Sequence, residues 1–220
     1  AFHSVFPRAE FRPEGVDEPD PRERSYPGEG VVVWRYDGLL PHPAVAAPSP
    51  EVAARVGALA VPVWPHILAV HARAGALADV AVDDLLGVLV HPPQPVQGRP
   101  DGWVRAVQVM ACLGIAWHRL DQPWRGSERA RILSELLFGP EDWVTEAAAF
   151  AMVASAWADP SLRRDVGTTV AVRWFQAEKA ARTRAVTILG SLTDLVLACP
   201  WLDDRASNPA RELRARLRSG

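Results

Sequence analysis

Cysteine is scarce in this chain, and long apolar runs are missing from it. The 220 residues include two cysteines, Cys112 and Cys199, each in an apolar helical context. We therefore expect two buried free thiols rather than a disulfide, and a reducing cytoplasm as the location. No run of about 18 apolar residues offers a membrane-spanning helix. The first residues also lack the charged-then-apolar pattern of a signal peptide.

Neither sign of charge dominates. The chain has 24 Lys and Arg against 26 Asp and Glu, a net charge of −2. A general attraction to nucleic acid or to an anionic membrane is therefore not expected. The basic residues are nearly all arginine, with Lys179 as the one lysine.

Familiar catalytic and metal-binding motifs are missing as well. The sequence has no Gly-rich phosphate loop, no His-Glu-x-x-His and no Gly-x-Ser-x-Gly. Its paired acids, such as Asp83-Asp84, are adjacent, and adjacent residues of a helix do not face each other. His66 and His71 are five positions apart, which places them on different helix faces. The sequence thus predicts no catalytic residue, no metal and no cofactor.

One helical pattern occurs more than once. Its first copy holds, at offsets 0, 4, 7, 11 and 14, Trp103, Val107, Met110, Gly114 and Trp117. A second copy further along the chain holds, at the same offsets, Trp143, Ala147, Phe150, Ala154 and Trp157. This spacing is typical of a helix with one buried face. We expect the bulky Trp side chains to lie in the core and the small residues between them to allow close helix packing.

A weaker third copy starts at Arg184, which matches Arg105 at nearly twice the shift that separates Trp103 from Trp143. A period of about 40 residues, with two helices in each period, resembles HEAT and armadillo repeats. The resemblance covers about half of the chain and implies a short all-α array in which each helix pair stacks on its neighbours. The alternative is a non-repetitive helical bundle whose helices share a pattern.

Proline and glycine divide the chain into four parts. Residues 1–48 predict an extended Pro-rich arm with a possible strand over 31–36. Such a strand must pair with another part of the arm, another copy or another protein, or lie extended on the helices. Residues 49–91 predict the N-terminal helices, 92–100 a Pro-rich loop and 101–220 the repeats. The third repeat helix is expected from Arg182 to Ala198, and a last helix from Asn208-Pro209.

A local cluster of cations is the strongest candidate for a binding surface. It comprises Arg163, Arg164, Arg173, Lys179, Arg182 and Arg184. Only Asp165 and Glu178 oppose it. In HEAT-like arrays the second helices line a concave face that binds partners, so the resemblance implies a groove for an acidic peptide, a protein or a phosphate backbone. The alternative is an ordinary solvated helix face.

These observations favour a non-catalytic scaffold or adaptor that binds a protein partner or joins a larger assembly through its helical surface and its arm. One alternative is an enzyme whose site the fold assembles from scattered residues. A second is a HEAT-like nucleic-acid-binding or repair protein, against which the net charge weighs. No membrane partner is expected.

Overall fold

The computed structural model of the chain describes residues 9–11, 32–34, 45–60, 66–93, 103–139, 143–183 and 185–219. These residues confirm the predicted all-α class, since helices account for nearly all of their regular structure. The helices are α1 (Pro50–Leu59), α2 (Ile67–Ala74), α3 (Val82–Val90), α4 (Trp103–Trp117), α5 (Glu128–Leu137), α6 (Trp143–Ala158), α7 (Arg163–Ala181), α8 (Leu189–Leu197) and α9 (Asp204–Ser219). Short 3-10 turns, Gly75–Leu77 and Pro160–Leu162, follow α2 and precede α7.

Two short strands occur in the N-terminal arm. Strand β1 (Ala9–Phe11) pairs antiparallel with β2 (Val32–Trp34). Strand β2 lies within the range expected to be extended, and its partner is another part of the arm. The rest of residues 1–44 lies outside the described residues, as does most of the predicted loop 92–100.

The segment just before α1 packs closely on α3. A Cβ atom on Gly87 would come within 2.6 Å of the Ala46 carbonyl oxygen and within 3.2 Å of the Pro48 ring. The side chain of His91, at the end of α3, lies 3.0 Å from the Val45 carbonyl oxygen. Residues 45–48 therefore contact the helical body, although the sequence places them in the arm.

Helices α4 and α6 form the centre of the fold. They make the most extensive helix–helix contact, and α6 also touches α2, α5, α7 and α8. The middle of α6 is rich in fully buried alanines, which let neighbouring helices approach on several sides. Both helices are buried nearly all round rather than on the single face that the Trp spacing predicts. The contact between α2 and α6 joins elements that are not neighbours in a simple one-dimensional array.

The C-terminal ends of α4 and α6 are built alike. Arg129, in the first turn of α5, donates to the Ala116 carbonyl at 2.9 Å. Arg163, in the first turn of α7, donates to the Ala156 carbonyl at 3.4 Å. The two acceptors are separated by the same shift as the tryptophan patterns of the two helices, so they are equivalent positions in the repeat. Each guanidinium also lies over a Trp ring, 5.4 Å from the centroid for Arg129 and 5.0 Å for Arg163.

Two helix boundaries differ from the sequence prediction. The third repeat helix begins at Leu189 rather than Arg182, because α7 runs on to Ala181 and the β-branched run Val186-Thr187-Ile188 has low helix propensity. The last helix begins at Asp204 rather than at Asn208, and Pro209 lies inside it. The carboxylate of Asp203 accepts the backbone N–H of Ala206 at 3.3 Å and so caps this earlier start.

Candidate functional site

Helix α7 has apolar residues on two opposite faces. One face packs into the core through the fully buried side chains of Val166, Val170 and Trp174. The opposite face carries Val172 and Phe175, which are 44% and 42% exposed. The apolar residues of this helix in the sequence, Val166, Val170, Trp174 and Phe175, predict that all four side chains face inward, and for Phe175 this prediction is wrong. Its neighbour Trp174 takes the inward position, and the two rings meet edge to face at 4.8 Å.

The exposed face of α7 lines an open groove of about 580 Å³. The opposite wall is the turn after α8, Trp201 and Leu202, together with the start of α9 at Asp203 and Arg205. The 3-10 turn before α7 closes one end with Pro160 and Ser161. The groove therefore has an apolar floor and charged groups at its edges.

A glycine allows the far wall to approach α7. A Cβ atom on Gly167 would lie 3.0 Å from Leu202 Cδ2 and 3.1 Å from Trp201 Nε1. The Trp201 ring also meets Trp157 edge to face at 5.5 Å and lies under the Arg163 guanidinium. Trp157 in turn donates its indole N–H to the Ala198 carbonyl at 2.9 Å, which ties the end of α6 to the end of α8. These contacts hold the turn after α8 beside α7.

Two of the six cations predicted to bind a partner line this groove. Arg164 is exposed, and Arg163 is partly covered by its stacking on Trp201. Lys179 lies one helical turn beyond Phe175, on the same face of α7. The structure thus brings Arg163, Arg164 and Lys179 to one side of the molecule.

The other three predicted cations are placed differently. Arg173 is buried and donates to the Leu137 carbonyl at 2.9 Å, at the end of α5. Arg182 pairs with Glu178 on its own helix at 2.9 Å. Arg184 lies outside the described residues. The predicted strip is therefore not a continuous basic surface.

The sequence prediction missed Arg205 and Trp201, which lie beyond α7. Arg205 is exposed at the groove edge, and among the described residues neither Arg205 nor Arg164 has an ion-pair partner. Asp203 is the acid that lines the groove, and its carboxylate caps α9. The sequence carries a partial signal, since Asp203 is a favoured N-cap residue and a hydrophobic residue directly before an N-cap, here Leu202, often packs against the helix that follows.

The most buried carboxyl of the described residues lies away from the groove. Glu146 accepts a hydrogen bond from the Ser191 hydroxyl at 2.7 Å. Its other oxygen lies 3.1 Å from Arg105 Nη2, an ion pair whose angles do not make a hydrogen bond. Burial raises the pKa of Glu146, while Arg105 and Ser191 oppose the rise. This cluster links α4, α6 and α8.

Other buried titratable groups also lie apart from the groove. Burial, with a contribution from Arg129, lowers the pKa of His71, whose ring lies 4.9 Å from that of Trp117. Cys112 and Cys199 are buried and form no disulfide, as expected, and burial raises the pKa of Cys199 to about 12. The described part of the chain contains no group of three or more His, Cys, Asp or Glu side chains arranged to hold a metal ion. None of its helices has both the length and the apolar character that crossing a membrane requires.

No protein-family model matches this sequence, and no curated protein or solved structure shows a significant match to it. Function must therefore be inferred from the geometry of the groove.

Proposed function

We propose that this chain is a non-catalytic protein-interaction module that uses the groove beside α7 to bind a protein partner. The observation that carries the proposal is the second apolar face of α7. Val172 and Phe175 are close to half exposed, one helical turn apart, and the apolar side chains of Trp201 and Leu202 face them across the groove. Clustered exposed apolar side chains with a polar rim are typical of interaction sites.

We also propose that the helix pairs α4–α5, α6–α7 and α8–α9 form a short HEAT-like repeat. Support comes from the equivalent positions of Ala116 and Ala156, each capped by an Arg that stacks on a Trp. The direct packing of α4 on α6 is what stacked equivalent helices would give. In this arrangement α1 and α3 pack on α4, and α2 lies against both α4 and α6.

An affinity capture with matched variants tests the interaction function. The bait is the full chain, compared with Phe175→Glu and with Phe138→Glu. Phe138 is a suitable control because it is 40% exposed and does not line the groove. We expect a specific partner that is retained by the wild type and by Phe138→Glu and lost with Phe175→Glu. Equal capture by all three, or a protein with no partner, would contradict the proposal.

A further bait separates the contribution of the arm. It should lack residues 1–44 rather than 1–48, because Val45, Ala46 and Pro48 contact α3. A partner retained by this bait binds the helical body. If the truncated bait loses the partner and full-length Phe175→Glu still binds it, the docking site lies in the arm. That result would contradict the proposal that the groove binds the partner.

The placement of the cations weighs against nucleic acid as the partner. Six cations were candidates for phosphate contacts. Of these, Arg173 is buried and donates to the Leu137 carbonyl, and Arg182 forms an ion pair with Glu178. Phosphate-backbone binding draws its affinity from many free cations and falls steeply with salt. We therefore rank nucleic-acid binding below the interaction function.

An enzyme whose site is assembled from scattered residues also ranks below the interaction function. The most buried carboxyl of the described residues, that of Glu146, lies away from the groove and contacts Ser191 and Arg105.

A further inference from the structure

We infer that the groove beside α7 binds an acidic amphipathic helix of the partner protein. The inference rests on the proposed function and specifies its ligand. It follows from three features of the groove, namely its backbone, its shape and its charge.

The backbone of the groove excludes recognition by strand addition. An extended peptide gains affinity by pairing with unpaired N–H and C=O groups at a sheet edge. The principal wall here is α7, a helix whose interior backbone groups bond within the helix. Side chains must therefore provide the contacts, which is the mode in which a helix lays its apolar face into a groove.

The shape of the floor fits a helix of about four turns. The exposed face of α7 runs from Arg164 through Thr168, Val172 and Phe175 to Lys179, a length of about 22 Å at the usual helical rise. Apolar side chains occupy the middle of this face, and a cation stands at each end. A ligand helix with leucine or phenylalanine at helical spacing would cover Val172 and Phe175 and place its flanking residues near the cations.

The charge of the groove selects acidic flanks. Arg163, Arg164 and Arg205 line it, and Lys179 extends it. Asp203 is the one acid among the described lining residues, so three arginines outnumber one carboxylate there. This local positive excess contrasts with the net charge of −2 of the whole chain. It therefore favours glutamate and aspartate on the ligand over a neutral or basic helix.

A second copy of this chain fits the groove less well than an acidic helix. A twofold dimer would place the same patch of both subunits face to face. Arg164 and Arg205 would then approach the same cations of the other copy, and this repulsion would oppose the apolar contact.

Fluorescence anisotropy with three labelled peptides tests the inference. Each peptide is about five helical turns long, or roughly 18 residues, with leucines at positions i, i+3, i+4 and i+7 and one polar residue type elsewhere. That residue is glutamate in the first peptide, glutamine in the second and lysine in the third. We expect the glutamate peptide to bind about 10-fold more tightly than the glutamine peptide, because Arg164, Lys179 and Arg205 each offer an exposed ion pair that contributes about 2-fold in affinity. The lysine peptide should bind most weakly.

Variants of the rim identify the contact. Arg164→Glu and Arg205→Glu should each lower affinity for the glutamate peptide several-fold and leave the glutamine peptide nearly unchanged. Arg211→Glu is the matched control, because Arg211 is an exposed residue of α9 that does not line the groove. Far-UV circular dichroism of each variant confirms that it is folded.

The outcomes separate this inference from the proposed function. Equal affinity for the glutamate and glutamine peptides, with both lost in Phe175→Glu, would overturn the acidic ligand but keep the docking groove. No peptide binding, with a natural partner still lost in Phe175→Glu, would overturn the helical ligand and keep the interaction function. Concentration-dependent dimerisation abolished by Phe175→Glu would assign the groove to a second copy. Tight binding of a DNA oligonucleotide abolished by Arg164→Glu would assign it to nucleic acid.

Discussion

Replacing Arg129 with methionine tests how the helix ends are held. The side chain of Arg129 is buried and donates to two main-chain carbonyls, that of Ala116 at 2.9 Å and that of Gln122 at 3.0 Å. Ala116 belongs to the last turn of α4, where carbonyls have no partner within the helix. Methionine keeps much of the apolar bulk beside Trp124 and removes both hydrogen bonds.

The magnitude follows from these two bonds. Hydrogen bonds from a charged donor contribute roughly 1.5–3 kcal/mol each, so the loss is about 3 kcal/mol at the lower end. Arg129 Nε is buried with no hydrogen-bond partner, and this costs the wild type some stability that methionine does not lose. We therefore use the lower figure for each of the two hydrogen bonds. For a chain of this size, about 3 kcal/mol lowers Tm by about 6–12 °C. Urea unfolding followed by circular dichroism measures the free energy, and a thermal scan measures Tm.

Arg131→Met is the matched control on the same helix. The Arg131 side chain is 58% exposed, and its ion pair with Glu135 spans one helical turn. Its loss should cost about 0.5 kcal/mol or less. Arg129→Lys should fall between the two, because lysine keeps the charge but lacks the planar fork that reaches two carbonyls. If Arg129→Met is no less stable than Arg131→Met, the bonds at the helix end do not hold the fold together and the reasoning is refuted.

Two further predictions concern Glu146 and Gly167. Burial raises the pKa of Glu146, so its carboxyl binds a proton more tightly in the folded protein than in the unfolded chain. The folded protein therefore loses stability as the pH rises from the ordinary pKa of glutamate through the raised pKa of the folded state. Glutamine does not titrate, so the free energy of unfolding of Glu146→Gln should increase relative to that of the wild type as the pH rises through this range. Parallel plots of unfolding free energy against pH for the two proteins would contradict this. Gly190→Ala, with open space around its Cβ, should stabilise the protein by about 0.5 kcal/mol in urea unfolding. Gly167→Ala should not increase the free energy of unfolding in this way, because its Cβ meets Leu202 and Trp201. An equal increase for both variants would show that the turn after α8 moves away from α7 at little cost.

The sequence predicts the helices well because their ends carry local signals. Ser49 before Pro50-Glu51 and Ser127 before Glu128 are sequence patterns that predict N-caps, and each Ser side chain accepts a backbone N–H at 3.2 Å. The spacing of tryptophans placed α4 and α6 correctly to within a residue or two. Such features depend on residues within one or two turns of each other, which the sequence displays directly.

The groove could be predicted only in part, because α7 has two overlapping apolar patterns. Trp174 and Phe175 are adjacent, and periodicity alone does not decide which of them points into the core. The sequence also does not show which cations are exposed and which are bound within the fold. Arg173 reaches the carbonyl of Leu137, far earlier in the chain, and no spacing rule connects the two positions.

The structure gives the arginine-rich composition a physical role at helix ends. Arg73 donates to the carbonyls of Leu59 and Ala58 at the end of α1, and Arg129, Arg163 and Arg173 do the same for α4, α6 and α5. In each case a later helix supplies the cation that meets the negative end of an earlier one. Arginine suits this task because its planar donors stay charged even when buried.

These helix-end contacts change how the charge of α7 should be interpreted. A cation engaged with a helix end contributes rigidity but little attraction for a partner, since its donors are already used. Arg173 belongs wholly to that group, and Arg163 belongs to it in part. The attraction of the groove for an acidic ligand therefore depends on Arg164, Lys179 and Arg205. Reversing the charge of Arg164 or Arg205 should weaken binding without loss of stability, whereas replacing Arg173 should destabilise the fold.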